Sequence, residues 1–144
     1  IDTNKIAYVF REFVGNKQDL YASSLARCGK STESYINFME VLLLQQNNWA
    51  FNRKFEEVLT NIGSLGGVSP EEFSTCVADE EINKTLIENT KLPLEVPGFV
   101  GTPTFFINGK HFTKPYTFEE LSSAIDKALK ESKPVVITNS SETQ

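Results

Sequence analysis

Gly98-Phe99-Val100-Gly101-Thr102-Pro103-Thr104-Phe105-Phe106-Ile107-Asn108-Gly109-Lys110 is the stretch whose reading decides the fold. Two glycines bracket a short loop, and Thr102-Pro103 closes it. β-Branched and aromatic residues follow at once, so Thr104 to Asn108 reads as a strand. Asn108-Gly109 is the strongest two-residue hairpin signal, because both central positions of a type I′ turn need positive φ. A second strand then runs from Lys110 to Thr113. Proline is tolerated at the first residue of a strand, where the ladder does not yet need its N–H. The local sequence leaves two readings of Pro103 open: a trans proline that merely opens an edge strand, or a cis proline in a tight connection.

Working outward, the 144 residues fit a single domain able to bury a core without staples. The chain is 40% apolar and 23% charged, with 11 phenylalanines, a globular composition. No apolar run approaches the length of a membrane helix. Its 14 basic and 19 acidic residues give a net charge of -5 without a basic cluster, which argues against nucleic acid or anionic membranes as partners. The first residue is Ile, and no signal-like start is present, so a processed or trimmed piece of a longer protein is expected.

Upstream of the hairpin, Ile6 to Phe13 is mostly apolar and unbroken, and it reads as a buried strand ended by Gly15-Asn16. Helices are expected from about Lys17 to Cys28, from Ser31 or Thr32 to Trp49, and from Asn52 to Ser64. Their stripes are Leu20, Tyr21, Leu25 and Cys28; then Tyr35, Phe38, Met39, Leu42 and Leu43; then Phe55, Val58, Leu59 and Ile62. Ser69-Pro70-Glu71-Glu72 combines an N-cap, a first-turn proline and a capping-box Glu. That helix carries Phe73, Cys76 and Val77. Asp79 starts another to about Thr90, with Ile82, Leu86 and Ile87 inward. Pro93 and Pro97 predict an extended connection. Beyond the hairpin, Thr117-x-x-Glu120 starts a helix to about Glu131, and residues 132–144, with Val135-Val136-Ile137, read as a tail.

Gly101-Thr102-Pro103-Thr104-Phe105-Phe106-Ile107-Asn108-Gly109 resembles the cis-proline loop and hairpin of the thioredoxin superfamily. The helical block between a Phe-Arg-Glu-Phe strand (residues 10–13) and this loop, with Trp49, Gly66-Gly67 and a cysteine on either side, is similar to the DsbA-like branch. The resemblance implies an α/β thioredoxin-like fold with a helical insertion domain. Residues 1–15 would be a thioredoxin-fold strand and 16–97 the insertion. Residues 98–131 would hold the cis-Pro loop, β-hairpin and C-terminal helix, and 132–144 the tail. It implies that Thr102–Pro103 is cis, and that Gly101, Thr102 and Pro103 face substrate.

The departure lies in the chemistry. The family exchanges electrons through a Cys-x-x-Cys whose nucleophile is activated at a helix N-terminus. The 144 residues hold no such motif; that motif and the first strand are expected before Ile1. Cys28 and Cys76 are 48 positions apart on predicted helices and cannot replace it. By themselves they are either two buried free thiols or a bonded pair. The resemblance points to an exported bacterial protein, periplasmic or otherwise extracytoplasmic, where a structural disulfide is expected.

The leading expectation is a DsbA-like thiol–disulfide oxidoreductase, here without its redox-active pair and so inert alone. Its partners would be extended segments of unfolded cysteine-containing proteins and a redox partner protein, with no cofactor and no metal. Two alternatives stand beside it: a redox-inert peptide-binding or chaperone module, and a kappa-type glutathione transferase or isomerase. Without the first strand, Ile6–Phe13 lacks a neighbour. A homodimer, strand exchange or a shifted strand is therefore expected, since a bare apolar edge is a template for pairing.

Other constellations are weaker. His111, the only histidine, reads as a surface or half-buried strand residue. No His/Cys grouping has zinc spacing. Arg11 and Glu12 read as solvent or strand-end charges. Asn83-Lys84-Thr85 and Asn139-Ser140-Ser141 match the glycosylation pattern, a match short enough to arise by chance.

Overall fold

A computed structural model describes residues 5–131. The expected tail, Val135-Val136-Ile137 and Asn139 lie outside the described residues. The element order is α1 (Lys17–Arg27), α2 (Thr32–Leu44), α3 (Gln46–Trp49), α4 (Phe55–Leu65), α5 (Pro70–Ala78), α6 (Glu80–Leu94), β1 (Phe106–Ile107), β2 (Lys110–His111) and α7 (Phe118–Glu131). The chain divides into two compact units. One is Val9–Phe99, and the other combines the described residues before Val9 with those from Val100 on. The described residues are mostly helical, with a small two-stranded sheet.

In the helical unit, α1 packs against α2, α4, α5 and α6. Local chemistry sets its ends. The side chain of Asn16 accepts from the Asp19 N–H and that of Ser31 from the Ser34 N–H. Ser69 and Glu72 complete a reciprocal capping box, with the Ser69 N–H donating to Glu72 at 2.9 Å and the Glu72 N–H to Ser69 Oγ at 3.2 Å. The core contains Leu25, Phe38, Leu42, Trp49, Phe55, Leu59, Ile62 and Phe73. The Trp49 indole N–H donates to the Leu42 carbonyl at 2.9 Å, which satisfies its one polar group inside that core. Gly66 lies against Phe38 so closely that a Cβ there would sit 2.4 Å from the ring.

Several expectations change. Ile6–Phe13 forms no strand, and the sheet is β1–β2 alone among the described residues. A strand needs a ladder partner, and among the described residues none is paired with this segment. Side chains anchor the chain here instead: Glu12 is held by Arg27, and just past the segment the Val14 N–H donates to Thr90 Oγ1 at 2.9 Å. Tyr8 and Val9 are exposed. The helix expected to reach Trp49 breaks at Gln45 into α2 and α3. Leu43 and Ile87 are half exposed, so the inward stripes are narrower than their apolar residues suggest. α6 runs through Pro93, which falls in the last turn, where a missing N–H removes only one helical bond.

In the other unit, the hairpin pairs Phe106 with His111 and Ile107 with Lys110. The Phe112 N–H donates to the Phe105 carbonyl at 2.9 Å, extending the pairing by one step. Asn108 (φ 49°) and Gly109 (φ 77°) take the positive values that a type I′ turn demands. The Glu120 N–H donates to Thr117 Oγ1 at 3.2 Å, so Thr117 caps α7. The Glu120 carboxylate turns to Lys114 Nζ at 2.7 Å.

Candidate functional site

Two places in the chain concentrate polar chemistry, one in each unit. The first is the loop Gly101–Thr104. Gly101 has φ +141°, a conformation that L side chains rarely adopt. The Thr102–Pro103 peptide is cis. Thr104 Oγ1 donates to the Gly101 carbonyl and ties the loop across its base. Thr102 and Pro103 are exposed, and among the described residues Thr102 makes no backbone hydrogen bond.

The second place was not legible as a site in the sequence. Glu12, expected at the surface, is 4% exposed. Arg27 holds it in two-point fashion, with Nη2 donating to Oε2 and Nε 2.8 Å from Oε1. The Tyr35 hydroxyl donates to Oε1 at 2.9 Å, and Asn89 Nδ2 to Oε2 at 2.9 Å. Arg11 Nη1 donates to Asn89 Oδ1 at 3.0 Å, so Asn89 bridges two charged side chains. Burial pushes the Glu12 carboxyl up, but the hydrogen bonds from Arg27, its own backbone and Tyr35, with the Arg27 charge, outweigh it and hold the pKa below its ordinary value. Burial likewise works against the charge on Arg27, and the carboxylate more than restores it. A charged residue inside the apolar run Val9 to Phe13 was the one available signal. Its partners lie up to 77 positions away.

Cys28 and Cys76 are joined, with Cα atoms 5.9 Å apart. Cys28 caps the C-terminus of α1, and Cys76 lies in the last turn of α5, so the bond ties two core helices. The cysteines belong to the helical unit and the Thr102–Pro103 loop to the other. His111 is half-buried beside the Phe106 ring, with centroids 5.4 Å apart. Asn83 donates through Nδ2 to the Val77 carbonyl at 3.0 Å, so its amide is engaged within the fold. Among the described residues no three His, Cys, Asp or Glu side chains are grouped to hold a metal ion. No helix of the described residues is long and apolar enough to cross a membrane.

A family model described as Thioredoxin matches residues 1–127. A protein of Rickettsia bellii named "Putative protein-disulfide oxidoreductase" is 52% identical over 133 residues, covering 92% of this chain and 51% of the relative. Similarly named proteins of Rickettsia typhi and Rickettsia prowazekii are 50% and 51% identical, covering 91% and 90% of this chain and 48% and 47% of the relatives. The chain thus spans about half the length of the curated relatives it matches. No solved structure is significantly similar to it.

Proposed function

The chain belongs to the thioredoxin family, and we propose that it supplies the substrate-binding loop and helical insertion of a DsbA-like thiol–disulfide oxidoreductase. The observation that carries this reading is the exposed Thr102–Pro103 dipeptide just ahead of β1, with the Thr102 backbone unpaired among the described residues. The relatives' names support the reaction class. These 144 residues hold no Cys-x-x-Cys and match about half the length of their relatives, so in this reading the redox-active pair belongs to the remainder of the longer protein.

In this reading an extended, cysteine-bearing segment of an unfolded protein lies along Thr102 as an added strand. Its backbone pairs with the Thr102 N–H and C=O, and its side chains set no strict sequence requirement. That arrangement presents the substrate sulfur to the Cys-x-x-Cys for exchange through a mixed disulfide. An extracytoplasmic, oxidising compartment suits both this chemistry and the Cys28–Cys76 bond.

Oxidation of a reduced, unfolded protein tests the reading. The 144-residue chain alone is expected to give no turnover, and a longer form carrying its Cys-x-x-Cys is expected to turn over. Peptide binding without turnover in the longer form would favour the inert binding module. Glutathione transfer would favour the kappa-type alternative. Turnover by the 144 residues alone would show that the chemistry has been assigned to the wrong atoms.

A further inference from the structure

The Cys28–Cys76 disulfide is not sealed in the core. Both cysteines are only partly buried, and both line a cleft of about 540 Å³ between the α1–α2 junction and α5. Hydroxyl groups line the same cleft, Ser34 and Thr75 among them. Its charged lining is Lys30, Glu71 and Glu72. Lys30 Nζ lies 3.3 Å from Glu72 Oε1, with both side chains largely in solvent. Glu71 is left as the uncompensated charge, so the cleft carries a formal charge of one negative unit.

We propose that this cleft is a second thiol–disulfide exchange site, at which external thiols react with the Cys28–Cys76 bond of the folded chain. The class of reactant is a small thiol or dithiol that is neutral or carries a cation near its sulfur. Reactivity of a disulfide depends on access to a sulfur as well as on the attacking thiolate. A thiolate enters the cleft and attacks one Sγ. The new S–S bond forms as the Sγ–Sγ bond breaks. The electron pair stays on the departing Sγ, which takes a proton from water. A second thiol, supplied by the same dithiol or by another molecule, attacks the mixed disulfide and releases the remaining cysteine. Two electrons pass from the reductant, which leaves as its disulfide, to the cysteine pair. The site is separate from Thr102–Pro103 and does not depend on the function proposed for that loop.

The test uses the 144-residue chain, whose only cysteines are these two. Cysteamine and 3-mercaptopropionate, similar in size and opposite in charge away from sulfur, are applied without denaturant. Mixed disulfides are trapped by acid and read by mass. Trp49 fluorescence reports whether the chain is folded. The initial rate is expected to rise linearly with thiol concentration before the fluorescence changes. After correction for thiolate fraction, cysteamine is expected to lead by about threefold at low salt, the lead shrinking in high salt. In Thr75→Phe, which places a bulky ring at the cleft, the rate is expected to fall with unchanged Trp49 fluorescence. If that variant fails to fold, the concentration dependence decides alone. A rate independent of thiol concentration, or reaction only where denaturant has unfolded the chain, overturns the proposal.

Discussion

Arg27 grips Glu12 through two nitrogens, each 2.8 Å from a different carboxylate oxygen, and Glu12 is almost fully out of water. One link thereby joins the segment before α1 to the end of α1. Removing either partner leaves the other poorly compensated, which is far more costly than the net worth of the pair. Arg27→Ala is expected to destabilise the chain by about 3 kcal/mol, read by urea unfolding followed at Trp49. Ala removes both the charge and the hydrogen bonds, and Lys restores the charge without the fork. Arg27→Lys should therefore recover only part of the loss; full recovery would mean that charge alone matters.

The same link sets a pH dependence. The folded pKa of Glu12 lies below its ordinary value of 4.5. The unfolded chain therefore takes up the proton first as pH falls. The stabilisation is fully present above pH 4.5 and is lost as pH drops through the folded value. The stability difference between the native chain and Glu12→Gln should be flat near neutral pH and should shrink below that point. A difference that widens on acidification would show that the sign of the shift is wrong.

Gly66 faces the buried Phe38 ring, where a Cβ would lie 2.4 Å from Cζ and 2.6 Å from Cε1. The ring is 5% exposed and belongs to the core, so it must shift to admit the methyl group. Gly66→Ala should cost about 1–3 kcal/mol as an overpacking change, although the φ of -89° at Gly66 is one that alanine adopts readily. A thermal melt unchanged from the native chain would mean that α2 and α4 separate freely.

Joining Cys28 to Cys76 closes a sequence separation of 48. On the chain-entropy model, losing that link costs about 4 kcal/mol. The double substitution Cys28→Ala, Cys76→Ala should lower the urea midpoint accordingly. A loss below about 1 kcal/mol would mean that the unfolded chain is little constrained by the bond.

Local rules made most of this chain legible. Ser69 to Glu72 and Asn108-Gly109 encode their cap and turn within a few residues, and both occur as read. Features that depend on distant partners were not legible. Glu12 lies among apolar residues in sequence, and only the folded arrangement of Arg27, Tyr35 and Asn89 makes its burial tolerable. Ile6–Phe13 has the composition of a strand, but pairing is a property of two segments, and its partner is not among the described residues. Pro93 illustrates the reverse: a breaker in the last turn removes one helical bond and leaves the helix standing. In the Thr102–Pro103 loop, sequence supplied the candidate residues, and the fold shows their exposure and a Thr102 backbone without a partner among the described residues.

The assignment of Thr102–Pro103 as the place where a substrate strand docks is tested most directly by backbone-amide NMR. The 144-residue chain is titrated with an extended, cysteine-containing peptide. Saturable shifts are expected to be largest at Gly101, Thr102 and Thr104, with slowed amide exchange at Thr102 as its N–H gains a partner. Saturable shifts confined to other parts of the chain, or no saturable shift at all, would contradict the assignment.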